Sequence, residues 1–330
     1  MITYDGGSKK TLVERINIVK ILIAVYPFLI DTPIIKNFKF VNNPWERRPS
    51  ADELEKELVT GKYDGLIVGT TEVKKSIVEK IDSLKVISRV GVGVNNVDVE
   101  FFKEHGVLTT NTPFGLTNSA AEMAVALILA GIRRLVNYND MVKNKRWDRK
   151  FSLSLADATV GIVGYGNIGK RVAILLKAFD CNIVLNDIKK DLAISDTMGW
   201  KFVGKKELLK KSDIITLHIP LNENTIDWLS FEELENLEKP VVIVNTARGG
   251  IVNEQAIYEY LKSHNDSYYC CDVYVKEPYN GKLIELENVL LTPHVSTFTL
   301  SSRRQAEQLA VENCLEVLSG EPCNYIVKSN

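Results

Sequence analysis

Short β-branched and apolar runs alternate with stretches of helical periodicity along nearly the whole chain. In the first third, KILIAV, GLIVGT, KVISRV and VLTTN read as buried strands, with SADELEKELVT and DVEFFKEHG as helices between them. Ser50 followed three places on by Glu53 has the spacing of a capping box, which supports the start of the first helix. A second set follows, with TVGIVG, NIVLND, DIITLHIP, VVIVNTA, YYCCDVY and NVLLTPH as strands. Between the sets, NSAAEMAVALILAGIRRLVNYNDMVKN predicts one long helix from Asn118 to about Asn144. At the end, SSRRQAEQLAVENCLEVLSG predicts an amphipathic helix stopped at Gly320. Strands and helices in this order place the chain in the α/β class, with parallel sheets covered by helices on both faces.

A length of 330 residues accommodates two domains. The 41 basic and 42 acidic residues leave a net charge of -1, so no overall field favours nucleic acid or an anionic membrane, and small-molecule chemistry is expected instead. Five cysteines form neither a CxxC nor a paired metal spacing, so no metal site is expected, and the thiols read as reduced, structural and cytoplasmic. The apolar segment near the N-terminus is too short to span a bilayer and no small-residue cleavage site follows it.

The turn GYGNIG changes the picture from fold to ligand. Gly164, Gly166 and Gly169 match G-x-G-x-x-G between a buried strand and a helix, and Asp187 closes the next strand near the roughly 20-residue spacing of a ribose-binding acid. The first glycine permits the tight turn, the second lets a pyrophosphate approach the backbone, and the third lets helix and strand pack closely. The phosphates then meet the amides at the helix N-terminus. The Asp187 carboxylate repels a 2'-phosphate, which favours NAD over NADP even with Lys189 and Lys190 nearby.

Three polar residues stand just past strand ends, where ligands of open α/β sheets bind: Arg248, Glu277 and His294. A cation for a carboxylate, a proton carrier and a group that orients the carrier are what a hydroxy-acid dehydrogenase requires. His218, after another strand, is expected to line the cofactor cleft, whereas His105 and His264 end predicted helices and read as exposed caps.

ISRVGVGVNNVD, VGYGNIGK, NTARGGIVNEQAI, DVYVKEP and TPHVSTFT together resemble the signatures of the D-isomer-specific 2-hydroxyacid dehydrogenases, especially the phosphoglycerate dehydrogenase branch. The resemblance runs from about Asp64 onward. It implies a Rossmann-type doubly wound domain, residues 113–292, inserted into a smaller flavodoxin-like substrate domain, residues 1–112 plus 293–330. It also implies hydride transfer between NAD and a D-2-hydroxy or 2-keto acid, 3-phosphoglycerate or phosphohydroxypyruvate being candidates. Arg248 then binds the substrate carboxylate, His294 is the acid/base, and Glu277 is its hydrogen-bonded partner. By the same resemblance Asp272 holds the nicotinamide carboxamide, and Asn167, Ile168, Pro220, Thr225, Thr246 and Ala247 join the cofactor contacts. Arg89 and the backbone of Val92 and Gly93 become substrate contacts, and the long helix becomes part of a homodimer surface. Trp147 and Arg149 match a segment that reaches a neighbouring subunit's active site in relatives.

The match has departures. Gly69 stands where many phosphoglycerate dehydrogenases have an arginine, removing one anchor for a phosphate, although Lys74, Lys75 and Arg149 offer charge. Asn95 replaces a usual aspartate, and Val295 and Ser296 follow His294 where a glycine is common. No appended regulatory domain is expected after Asn330. The alternative function on the same fold is an NAD(H)-sensing, corepressor-like binding protein, which keeps much of the same residue set.

Overall fold

The computed structural model describes residues 18–328 apart from 114 and 191. The reading of the N-terminal stretch as neither leader nor anchor falls mostly outside these residues. The chain divides into two compact units, Met1–Phe114 with Arg304–Asn330, and Gly115–Arg303. The resemblance had implied divisions after residues 112 and 292.

In the first unit, β1 (Val19–Ala24), β2 (Phe38–Val41), β3 (Gly65–Val68), β4 (Val86–Arg89) and β5 (Leu108–Thr110) form one parallel sheet in the order β2-β1-β3-β4-β5. The central strands are continuous apolar runs because both faces are covered: Ile21, Leu22, Ile23, Leu66, Ile67 and Ile87 are fully buried. Helices Ala51–Gly61 and Val99–Glu104 contribute Leu54, Leu58 and Phe102 to the core. The first of them begins as expected: Ser50 Oγ accepts from Glu53 N–H at 3.3 Å, and Glu53 Oε2 accepts from Ser50 N–H at 2.9 Å. The strand β2 was not among the expected ones. Its sequence FKFV is short and interrupted by Lys39, and pairing with β1 along the sheet edge supplies what its own pattern lacks.

In the second unit, β6 (Thr159–Val163), β7 (Asn182–Asn186), β8 (Lys201–Phe202), β9 (Ile214–Leu217), β10 (Val242–Asn245), β11 (Tyr268–Cys271) and β12 (Val289–Leu291) form a second all-parallel sheet. Its order is β12-β11-β10-β9-β6-β7-β8. Strand order reverses at β6, which pairs with β7 on one side and β9 on the other, and that reversal opens a crevice at the strands' carboxyl ends.

The single long helix expected from Asn118 to about Asn144 is two helices, Thr117–Ile132 and Leu135–Lys143. Arg133 N–H closes the first onto Leu129 O, Arg134 takes a left-handed backbone (φ 48°), and its guanidinium bonds Asp266 across the fold. Arginine is a good helix former, so periodicity alone runs through this break, which the distant Asp266 accompanies. The first helix buries Ala121, Ala124, Leu127 and Ile128, whereas the second buries nothing. His105 and His264 stand at helix C-termini as expected, with Nδ1 within 2.8 Å of Phe101 O and 2.9 Å of Tyr260 O respectively. All five cysteines are free thiols. Among the described residues no helix is long and apolar enough to cross a membrane.

Candidate active site and its cofactor cradle

The glycine loop follows β6, and each glycine has a separate mechanical reason. Gly164 has φ +91°, and a Cβ there would meet His218 O at 2.5 Å. Gly169, in the first turn of the helix Asn167–Lys177, lies so close to the loop that a Cβ would sit 1.9 Å from Gly164 O. Gly166, the N-cap of that helix, faces open space: a Cβ there would meet nothing within 4 Å. The turn is therefore tight where protein meets protein and open where a pyrophosphate would approach the helix amides of Asn167 and Ile168.

Asp187 follows β7 and braces this loop. Its Oδ2 accepts from Tyr165 N–H at 2.6 Å and its Oδ1 from Lys189 N–H at 2.7 Å. A carboxylate oxygen has two lone pairs, so capacity remains for a ribose hydroxyl. Across the crevice, Thr246 follows β10, and its hydroxyl is buried with no partner, an orphan that a ligand could satisfy. Thr225 Oγ1 donates to Pro220 O at 2.6 Å and shapes the loop after β9. The half-buried His218 lies within 2.9 Å of Thr216 Oγ1, and desolvation pushes its pKa down to about 3, which favours the neutral ring. The open face of Gly166, the unpaired Thr246 hydroxyl and the placed Asp187 carboxylate together fit a dinucleotide.

The three charged residues stand at the ends of neighbouring strands of this sheet. His294, beyond β12, has a left-handed backbone (φ 55°), and its Nδ1 lies 2.9 and 3.0 Å from the two oxygens of Glu277. A carboxylate only accepts, so Nδ1 carries the proton and Nε2 is left for other chemistry. Both side chains are about two-fifths exposed, 40% and 38%. Glu277 also accepts from Tyr274 N–H at 3.2 Å. Arg248, beyond β10, donates through Nη1 to Ala247 O at 2.6 Å; burial lowers its pKa, with the Glu277 charge opposing. A half-buried guanidinium with donors to spare suits a carboxylate.

Asp272, just past β11, is fully buried and spends its carboxylate on the segment bearing His294. Oδ1 accepts from Thr292 Oγ1 at 2.5 Å and Val295 N–H at 2.9 Å, and Oδ2 from Ser296 N–H at 2.8 Å. Sequence reading assigned Asp272 to the cofactor and had no signal for these bonds, which depend on β11 lying beside β12. In the first unit, Arg89 ends β4 and donates from Nη1 to Val90 O at 2.8 Å, while Val92 is 44% exposed and its carbonyl accepts from Asn111. Gly93 follows in the same loop. Among the described residues no cluster of three or more His, Cys, Asp or Glu side chains could hold a metal ion.

Residues 125–296 match the family described as D-isomer specific 2-hydroxyacid dehydrogenase, NAD binding domain. The chain is 34% identical over 283 residues to a D-3-phosphoglycerate dehydrogenase of Archaeoglobus fulgidus, covering 84% of this chain and 53% of that protein. Against a second archaeal D-3-phosphoglycerate dehydrogenase the coverage of the relative is 51%, so the chain spans about half the length of these relatives. A hydroxypyruvate reductase of Thermotoga maritima is 33% identical over 306 residues, 89% of this chain and 99% of that one. The crystal structure of a glyoxylate reductase from Paecilomyes thermophila aligns with a TM-score of 0.78 at 25% identity, covering 94% of this chain and 98% of that one. With its glycine loop, strand-end arginine and histidine–glutamate pair placed as described, the chain belongs to the D-isomer-specific 2-hydroxyacid dehydrogenase family.

Proposed function

We propose that the protein is an NAD-dependent oxidoreductase that interconverts a D-2-hydroxy acid and its 2-keto acid, with 3-phosphoglycerate and phosphohydroxypyruvate among the candidate substrates. The observation that carries this reading is the His294–Glu277 pair at 2.9 and 3.0 Å, set at strand ends beside the half-buried Arg248. Bound nicotinamide supplies the hydride acceptor or donor. Arg248 holds the substrate carboxylate, so the hydroxyl-bearing carbon is presented in one orientation. His294 takes the hydroxyl proton at Nε2 as the acid is oxidised and returns it to the carbonyl oxygen as the keto acid is reduced. Glu277 fixes the ring through Nδ1. Gly164, Gly166, Gly169, Asn167, Ile168, Asp187, His218, Pro220, Thr225, Thr246, Ala247 and Asp272 make up the proposed cofactor contacts. Arg89, Val92 and Gly93 are the proposed substrate contacts of the first unit.

The names of relatives, glyoxylate and hydroxypyruvate reductases beside phosphoglycerate dehydrogenases, support the 2-keto acid class. Oxidation of NADH, followed by absorbance with glyoxylate, hydroxypyruvate and phosphohydroxypyruvate in turn, tests it. Turnover of at least one keto acid is expected. Tight NADH binding with no turnover of any would refute the enzyme and point to a dinucleotide sensor.

The working form is a homodimer in a reducing, cytoplasmic compartment. Support comes from a run of exposed apolar side chains on and after the helix Leu135–Lys143, with Val142, Trp147 and Phe151 among them, and from five free thiols. Sedimentation should give twice the chain mass, and Phe151→Glu should shift it toward the monomer.

A further inference from the structure

We propose that Asn245 is a positioning residue for Arg248, stapling the turn that presents the guanidinium. The inference rests on the reading of Arg248 as the substrate-carboxylate anchor. Asn245 is the last residue of β10, in register with Leu217 of β9 and Cys271 of β11, and is 1% exposed. Its Oδ1 accepts from Ala247 N–H at 3.0 Å, and its Nδ2 donates to Arg248 O at 2.9 Å. Its own carbonyl accepts from Asp272 N–H at 3.0 Å, which ties it to the neighbouring strand end. One buried amide therefore fixes two of the three residues that follow the strand, and its burial strengthens both bonds.

Beyond the arginine the chain has no slack. A Cβ on Gly249 would lie 2.0 Å from the Tyr274 carbonyl carbon and 2.1 Å from its oxygen. Tyr274 N–H is the donor to Glu277 Oε1, so the turn is pinned by Asn245 on one side and pressed on the other against the segment that orients Glu277. Only a donor and an acceptor at the reach of an asparagine satisfy both bonds. Aspartate would set an oxygen against Arg248 O, and serine reaches Ala247 N–H but not both partners.

The test compares Asn245→Ala, Asn245→Ser and Arg248→Gln with the unaltered enzyme. Four quantities are read: melting temperature, NADH affinity by fluorescence, KM for the keto acid turned over, and Ki for oxamate, a carboxylate analogue that is not reduced. In Asn245→Ala, KM and Ki should rise about tenfold, by a larger factor than NADH affinity falls, since Ala247 of the same turn is itself a proposed cofactor contact. Asn245→Ser should recover part of the loss. A lowered melting temperature with unchanged KM and Ki, in either variant that folds, would mean that Asn245 merely stabilises the strand end and would overturn the proposal. Arg248→Gln separates the two levels. If it raises KM and Ki while the Asn245 variants do not, the staple is wrong and the anchor stands. If it leaves both unchanged, the anchor itself is wrong and the staple falls with it.

Discussion

Gly166 and Gly169 stand three residues apart in one loop, yet their alanine variants should fail in different ways. At Gly169 the new methyl would lie 1.9 Å from Gly164 O, a backbone atom that cannot rotate away. Relief requires the helix Asn167–Lys177 to move off the loop, an overpacking cost of about 1–3 kcal/mol. For a unit of this size each kcal/mol lowers the melting temperature by about 2–4 °C, so a loss of about 4–8 °C is expected at the middle of that range. At Gly166 the methyl meets nothing within 4 Å, and the folded protein loses only the N-cap preference for glycine over alanine, about 0.5–1 kcal/mol. On the proposed cofactor placement the space it fills is where a pyrophosphate would approach the helix amides, so NADH affinity should fall about tenfold or more, equivalent to about 1.4 kcal/mol. Thermal unfolding without ligand and NADH fluorescence titration, run side by side, separate the two effects. Gly166→Ala should melt close to the unaltered protein and bind weakly. Gly169→Ala should melt early. A Gly166→Ala protein that binds NADH normally, or a Gly169→Ala protein that melts normally, would refute the assignment of mechanical and ligand-facing roles.

Three further expectations follow from the geometry. His218 stays neutral in the folded protein down to about pH 3, whereas in the unfolded chain it binds a proton below its ordinary value of 6.5. Stability should therefore fall with pH across that window, by about 1.4 kcal/mol per pH unit from this group. His218→Asn should flatten the acid limb of a urea-melt series, and an unchanged slope would count against a neutral buried ring. Glu277→Gln keeps a partner for His294 but not a charged one; kcat should drop about a hundredfold with NADH affinity intact, and near-normal kcat would remove Glu277 from the proton pathway. Burial raises the pKa of Cys270, Cys271 and Cys314, that of Cys271 to about 12, and all three are enclosed. A thiol reagent should reach only Cys181 and Cys323 in the native protein and all five cysteines after unfolding, and modification of Cys314 under native conditions would contradict its packing.

Most of the fold was legible along the chain because its signals are local. Continuous apolar runs such as ILIA and GLIV become strands buried on both faces, Ser50 and Glu53 close a capping box, and GYGNIG dictates its own turn. Arg248, Glu277 and His294 could be singled out because a charged residue just past a buried strand stands out in the pattern. The edge strand FKFV and the two-residue β8 could not be seen, since neither has enough residues to set a period and each exists through a neighbour. The break at Arg134 was hidden for the opposite reason: the helical period continues past it, and the left-handed residue and its bonds to Asp266 belong to the folded chain.

By itself, the sequence determined the class of fold, the glycine turn and the candidacy of Arg248, Glu277 and His294 as strand-end residues, because each depends on residue type and short-range spacing. Tertiary structure alone decided how those side chains are held. The carboxylate of Asp272 closes on the His294 segment, the amide of Asn245 on the Arg248 turn, and desolvation keeps His218 neutral. The Asp272 bonds and the burial of His218 require segments far apart in the chain to meet, whereas the Asn245 bonds are local and depend on the fold only through the burial of the strand end that carries them.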